Sequence, residues 1–352
     1  MNFTAKDFIQ KDIQKSKIIK DFIIEHEAPS NIALVKYWGK HGLQLPMNPS
    51  VSFTLHQSKT ITSAQIKRSS QLSKHVVFTF YLEGKHQPDF EPKIAKFFNR
   101  IIKYVPFIKE FKWIFDSKNT FPHSSGIASS ASGFAALSKI IMNLEQQLFP
   151  ELDINYIQAK TSFLARLGSG SAARSLAHPV MIWGEHPQIK NSSDIYAIQA
   201  DFKLHPIFHN FQDSIVLVEK EQKKISSSIG HKLMETHPYK EMRKTQAFVN
   251  SLQMLNILKN GNIEDFIRLV EQEALSLHAL MMTSKPNYLL MQAETLKIIH
   301  AIRNYRKTTN TKVCFTLDAG ANIHVLYPDS ERKNIIKFLQ KTTDCEIIYD
   351  YI

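Results

Sequence analysis

The apolar residues of this 352-residue chain change their spacing along its length, and that change constrains its fold more than any other feature. From Ile23 they come in short runs that read as strands: IALV at 32–35, VSFTL at 51–55 and VVFTFYL at 76–82. After a turn at 122–126 a helical spacing takes over and runs through SSASGFAALSKIIMNLEQQL. A second helix, over about 155–167, stops at Gly168, read as a C′ glycine. A polar stretch at 186–212 leads to the strand SIVLVE at 214–219. Helical spacing then fills 239–259, 262–281 and 286–306, with Pro286 in the first turn of the last. The end is β-rich, with VCFTLDAGANIHVLYP as strand–turn–strand and CEIIYDYI as a closing strand.

This order predicts a mixed α/β chain of class α+β with two lobes, over 21–205 and 206–352. Residues 1–20 carry five Lys and two Asp and read as an extension: an amphipathic helix, a packing arm or a frayed end. The 43% hydrophobic content is enough for a large core. Formal charge is +12, from 44 Lys+Arg against 32 Asp+Glu, which suits nucleic acid, a membrane surface or small polyanions. No RGG run, zinc-knuckle spacing or basic–aromatic repeat accompanies that charge, so nucleic acid is the weaker reading. Cys314 and Cys345 form no CxxC and no metal spacing, which points to a reducing compartment. The first 22 residues lack the apolar core of a signal peptide, and no run of about 18 apolar residues exists. The expectation is a soluble, cytoplasmic protein.

Four segments interrupt apolar elements with small or polar residues. In Phe121-Pro-His-Ser124-Ser-Gly126-Ile-Ala128-Ser129-Ser130-Ala-Ser-Gly133 a helix starts behind small residues. Such a start is an anion site, and Ser hydroxyls add donors or a magnesium ligand. A Ser N-cap on a packed helix face explains the segment equally well, and it is no Walker A motif. Gly168-Ser169-Gly170-Ser171-Ala-Ala-Arg174-Ser175 offers N–H, hydroxyl and guanidinium donors, or else a surface turn. Asn31-Ile-Ala-Leu-Val-Lys36-Tyr37-Trp38-Gly39-Lys40 ends a strand in two lysines, which either face a site or are solvated. Asp318, in Thr316-Leu-Asp318-Ala-Gly-Ala-Asn322, is a turn-forming residue or a general base at a strand end. His26, His41, His278 and His324 read as surface or core polar groups, since none has a metal-ligand partner at a persuasive spacing.

Taken together and in this order, the four segments resemble the diphosphomevalonate decarboxylases of the galactokinase–homoserine kinase–mevalonate kinase (GHMP kinase) superfamily, nearly throughout from residue 23. The resemblance implies the two-lobed GHMP-kinase-type fold, with a ribosomal-protein-S5-domain-2-like N-terminal lobe and a ferredoxin-like C-terminal lobe. It implies ATP-dependent decarboxylation of mevalonate diphosphate to isopentenyl diphosphate, with ATP and Mg2+, in a homodimer that needs neither nucleic acid nor membrane. Carried over by residue, Asp318 is the catalytic aspartate at the 3-hydroxyl, Arg174 holds the substrate near its carboxylate, and Lys36 joins them in catalysis. Tyr37, Lys40, Ser169, Gly170 and Ser171 match the substrate side. Asn31, Ser124, Gly126, Ala128, Ser129 and Ser130 match the ATP side, with Ser129 the residue nearest a magnesium ion.

The chemistry makes sense of that set. A β-hydroxy acid losing carbon dioxide leaves electrons with no carbonyl to receive them, and hydroxide leaves poorly. Phosphorylating the hydroxyl creates a group that departs as the carboxylate breaks down. An Asp beside Lys36 is expected to stay ionised at neutral pH. The chain also departs from the family pattern. After Lys223-Lys224-Ile225-Ser226-Ser227, Ser228 and His231 replace an Arg and the Met of a Gly-Met pair, and the paired glycines usual after the Arg are missing from 175–183. These departures bear on substrate detail, with a kinase or decarboxylase of mevalonate or mevalonate 5-phosphate as the rival.

Overall fold

A computed structural model describes residues 2–10, 21–69, 73–122, 127, 129–176, 179–219 and 227–352. In chain order the first half holds β1 (Phe22–Val35), β2 (Lys40–His41), β3 (Leu45–Pro46), β4 (Ser50–Arg68), β5 (Val77–Leu82) and β6 (Lys85–His86). It continues with α1 (Glu91–Ile101), β7 (Phe111–Asn119), α2 (Ser129–Leu148), α3 (Ile154–Gly168), β8 (Val180–Trp183) and β9 (Ile198–Gln199). The second half holds β10 (Gln212–Leu217), α4 (Ser227–Leu233), α5 (Lys240–Asn260), α6 (Ile263–Met282) and α7 (Ala293–Thr309). It closes with β11 (Cys314–Leu317), β12 (Ile323–Tyr327), α8 (Arg332–Thr342) and β13 (Glu346–Tyr351).

The first sheet runs β6-β5-β7-β4-β8-β9, with β1 antiparallel to the long β4. Residues 50–55 of β4 are buried on both faces, which is why VSFTL stands out as an apolar run. Further on, β4 alternates buried Ser58, Thr60, Thr62, Ala64 and Ile66 with more exposed residues. That half has a two-residue period but a polar inner face, so it escapes an apolar search. Helices α1, α2 and α3 cover this sheet around Phe97, Phe98, Phe115, Phe134 and Phe163.

The second sheet is antiparallel in the order β11-β12-β10-β13. With α5–α7 between β10 and β11, and α8 between β12 and β13, this is the ferredoxin-like split arrangement. Val216, Ala274, Ile298, Phe315 and Leu339 pack α6–α8 onto it. A further core joins both sheets: Leu34, Phe53 and Leu55 of the first meet Phe211, Ile215, Phe266 and Leu326 of the second half. The two sheets thus share buried side chains, which fixes what lies in the cleft above them.

Three local expectations change. Gly168 is the last helical residue of α3 rather than a left-handed cap. A Cβ there would lie 2.4 Å from the Phe134 ring, so the glycine serves close packing of α3 on α2. Helix α7 begins at Ala293 behind a Gln292–Thr295 capping box, and Pro286 lies in the loop before it. The apolar residues of that loop, Tyr288 and Leu290, pack on Trp38 and Met234 instead of extending the helix. Residues 2–10 form turns, not a helix, and Phe8 is fully buried against Phe163 and Tyr196. That part of the extension is a packing arm; residues 11–20 lie outside the described residues. No helix among the described residues is long and apolar enough to cross a membrane.

Candidate active site

Strand β1 shifts register between Pro29 and Asn31 and again between Ala33 and Val35. Such bulges re-aim the side chains next to them. Lys36 follows the second shift, is 1% exposed, and places Nζ 2.9 Å from Asp318 Oδ1. Burial pushes its ammonium below the usual lysine range, and the ion pair with Asp318 opposes that shift. The backbone of Lys36 is held from both halves of the chain. Its N–H donates to Glu273 Oε2 (2.8 Å), and its carbonyl accepts from Arg243 Nη2 (2.8 Å) and Asn48 Nδ2 (3.0 Å). Glu273 also accepts from Arg243 Nη1 and Nη2 at 2.8 and 2.7 Å and from the Asn250 amide. Burial raises the Glu273 carboxyl, but Arg243 and these donors outweigh it and keep it below the usual carboxylate range. The buried pair, with both Arg243 Nη groups and both Glu273 oxygens bonded, works as a bolt between α5, α6 and the end of β1.

Asp318 comes from the opposite side, immediately after β11. Its side chain is 34% exposed, so one face meets Lys36 while the rest stays reachable from the cleft. The turn behind it is pinned. The Asp318 carbonyl accepts from Gly320 N–H (2.7 Å) and contacts His278 Nε2 (3.1 Å), and the Asn322 amide bonds the Glu219 backbone in both directions.

Arg174 ends the short 3-10 turn Gly170–Arg174. It is 3% exposed, donates to Ser50 Oγ and Asn31 Oδ1, and lies over the Trp183 ring. Its Nε is buried with no partner, and burial lowers the guanidinium to about 10. Asn31 in turn donates to Ser175 Oγ (2.7 Å) and the Ser171 carbonyl (3.3 Å). The Asn31 amide is spent on fixing the Arg174 turn, so it stands behind the wall of the site and not among the phosphate contacts expected of it. At Gly170 a Cβ would lie 2.7 Å from the Tyr37 hydroxyl, which is how the turn comes so close to Tyr37. Burial pushes the Tyr37 phenol upward, keeping it a protonated donor.

Helix α2 opens with Ser129 and Ser130 at its positive end. Lys93 of α1 donates to Ser130 Oγ at 2.8 Å, adding a cation there. Ser124, Gly126 and Ala128 lie outside the described residues. One cleft of about 510 Å3 is lined by Lys36, Tyr37, Lys40, Ser129, Ser130, Ser169, Gly170, Ser171, Arg174 and Asp318. Lys36, Lys40, Lys93 and Arg174 face it, and Asp318 is the sole carboxylate among its described lining residues. Such a field suits a polyanion bound around one base. A smaller cavity of about 190 Å3 shares Lys93, Ser129 and Ser130 with the cleft and continues between Phe80, Phe90 and Phe134 to Thr60, Ser117 and Asn119.

Helix α4 supplies Ser227, Ser228 and His231 to the same cleft. The His231 ring sits between Tyr37 and Trp38, with centroids 4.3 and 4.7 Å away, and its Nδ1 accepts the Gly39 N–H at 3.0 Å. Gly39 itself has φ +92°, a backbone that side chains disfavour. Burial, together with Lys40 and Arg174, lowers the His231 imidazolium to about 3, so the ring is neutral.

Comparison with known proteins agrees with this geometry. Residues 28–196 match the family described as diphosphomevalonate decarboxylase-like N-terminal domain, and residues 214–350 match the mevalonate 5-diphosphate decarboxylase C-terminal domain. The diphosphomevalonate decarboxylase of Saccharomyces cerevisiae is 30% identical over 336 residues, covering 89% of this chain and 80% of that protein. The chain belongs to the diphosphomevalonate decarboxylase family. The human enzyme is 28% identical over 314 residues, 84% of this chain and 74% of that one. The Staphylococcus aureus mevalonate diphosphate decarboxylase superposes with a TM-score of 0.79 at 26% identity, covering 94% of this chain and 96% of that one. A decarboxylase solved in complex with MVAPP, AMPPCP and magnesium gives the same TM-score at 25% identity, covering 94% and 97%. The GHMP-type two-lobed fold follows from these neighbours and from the two sheets.

Sequence reasoning missed two sets of residues in this family member. Lys93 is one of two lysines in PKIAKFF and carries no signal of its own. Of Arg243, Asn250 and Glu273 only Glu273 left a trace, since it falls on the apolar face of α6 where only a partnered charge belongs.

Proposed function

We propose that this chain catalyses the ATP-dependent decarboxylation of (R)-5-diphosphomevalonate to isopentenyl diphosphate, ADP, phosphate and carbon dioxide. The observation that carries the reading is the Lys36–Asp318 pair in a cleft whose other charged lining groups are cations. The names of the relatives, and the MVAPP and AMPPCP bound by a neighbour of the same fold, support the substrate pair.

In this mechanism Asp318 accepts the proton of the 3-hydroxyl while its oxygen bonds to the γ-phosphorus of ATP and ADP departs. Lys36 orients the Asp318 carboxylate and offsets charge on the transferring group. The phosphate then leaves carbon 3 as the carboxylate gives up carbon dioxide, and the electron pair becomes the new double bond. Arg174, which lines the cleft, holds the carboxylate end. Tyr37, Lys40, Ser169, Gly170 and Ser171 take the diphosphate end. Ser129, Ser130 and Lys93 take ATP phosphates at the α2 terminus, and the smaller cavity suits the nucleoside, with aromatic walls and polar ends.

Mg2+ would come with the ATP phosphates. The Ser129 hydroxyl fits it as a protein ligand, and no group of three His, Cys, Asp or Glu that could hold a metal occurs among the described residues. A division of the chain near residue 205 is supported by the gap between the matched segments, 28–196 and 214–350. A cytoplasmic homodimer belongs to the same reading. Met242 and Val249, seven residues apart on α5 and 71% and 61% exposed, form a stripe suited to a second copy.

The reaction is tested by following ADP, phosphate and carbon dioxide together from ATP and mevalonate diphosphate. Equal release of all three is expected. ADP and a stable phosphorylated product without carbon dioxide would make the chain a kinase, and turnover of mevalonate or mevalonate 5-phosphate alone would move its substrate.

A further inference from the structure

His231 has no role in the chemistry above, yet it is buried in the cleft wall, at the position where the resemblance implies a methionine. We propose that His231 is a neutral hydrogen-bond donor that holds an oxygen of the substrate's diphosphate through Nε2–H. The proposal rests on the reading in which Tyr37, Lys40 and Ser171 face that diphosphate.

The Gly39 N–H points at Nδ1 from 3.0 Å, which requires a lone pair on Nδ1. A neutral imidazole with a lone pair on Nδ1 carries its proton on Nε2. Tyr37 and Trp38 hold the ring plane from both sides, so the direction of that N–H is fixed by packing. Nε2 bonds no described residue and is not among the buried atoms lacking a partner, and the ring lines the cleft. The donor is therefore open to whatever the cleft holds. A second proton would break the Gly39 bond and set a cation beside Lys40 and Arg174, so the ring donates without adding charge.

A thioether at this position would pack on Tyr37 and Trp38 equally well but would donate nothing. The exchange of methionine for histidine thus keeps the packing and adds one hydrogen bond.

The test uses calorimetric binding of mevalonate diphosphate and mevalonate 5-phosphate to the full chain without nucleotide. His231→Asn keeps an acceptor near Nδ1 but cannot reach the Nε2 position, and His231→Phe keeps only the ring. His231→Gln carries a donor to about the place of Nε2. Hydrogen bonds to charged groups predict at least about a 10-fold weakening for the diphosphate in the Asn and Phe variants, with less effect on the monophosphate. The Gln variant is expected to stay within about 3-fold of the parent. Parent-like binding by the Asn variant would overturn the proposal, as would equal weakening of both ligands in all three variants, which means packing alone. If the Asn variant does not fold, Phe against Gln makes the same comparison. A parent protein that binds the diphosphate without releasing carbon dioxide would sink the proposed reaction and leave this inference standing. One that binds no diphosphate would sink both.

Discussion

The two ends of the cleft are built differently. At the end proposed for the substrate, Lys36, Arg174 and His231 are all under 9% exposed, and each is fixed by at least one protein hydrogen bond. At the end proposed for the nucleotide, Ser129 and Ser130 are only partly buried, and Lys93 is an exposed lysine resting on a hydroxyl. The first end is set before any ligand arrives, so its geometry can discriminate. The second offers a helix terminus and a lysine ammonium, which any triphosphate could use. Specificity should therefore reside at the substrate end, and substitutions should cost most there.

That contrast can be broken in order of expected effect. Removing the bolt behind Lys36 with Glu273→Ala leaves Arg243 buried and unpaired, a loss of about 3–5 kcal/mol in chemical denaturation. Near-parent stability would mean the second lobe does not hold the end of β1. Arg174→Gln should lower kcat/KM for mevalonate diphosphate by about 10²-fold or more, roughly 3 kcal/mol, with ATP affinity little changed. Unchanged kinetics would show the guanidinium is only a wall residue.

The third effect is on acid stability. The His231 pKa falls from 6.5 to about 3 on folding, so below pH 6.5 the unfolded chain binds a proton that the folded chain refuses. Stability is lost as pH falls from 6.5 towards 3, by about 2 kcal/mol at pH 5 from this group. His231→Gln should remove that part of the pH dependence, and identical pH–stability curves for the two proteins would refute it. Smallest is Lys93→Met, expected to raise KM for ATP about 10-fold while leaving that for the mevalonate substrate alone. A larger effect there than at Arg174 would reverse the comparison.

What could be read in the sequence follows the same division. The helix 129–148 was legible from its helical spacing, and the strands from the short apolar runs at 32–35, 51–55 and 76–82. The outer half of β4 was not, because Ser58, Thr60 and Thr62 face inward with hydroxyls in place of apolar groups; Thr60 bonds Ser132 and Thr62 bonds Ser117. Asp318, Arg174 and Lys36 were legible through motifs in family order. Asn31 belonged to a motif, but only the structure reveals that its amide holds Arg174 instead of a ligand. Lys93 and Arg243 come from other helices and become site residues only when α1 and α5 pack, so no local pattern marks them.

In the proposed reaction Asp318, oriented by Lys36, is the base at the substrate hydroxyl. Single-turnover release of carbon dioxide and phosphate by Asp318→Asn, with ATP binding measured in parallel, tests it most directly. Loss of about 10²–10⁴-fold in rate with nucleotide affinity retained is the predicted result. A variant that turns over at near the parent rate would contradict it.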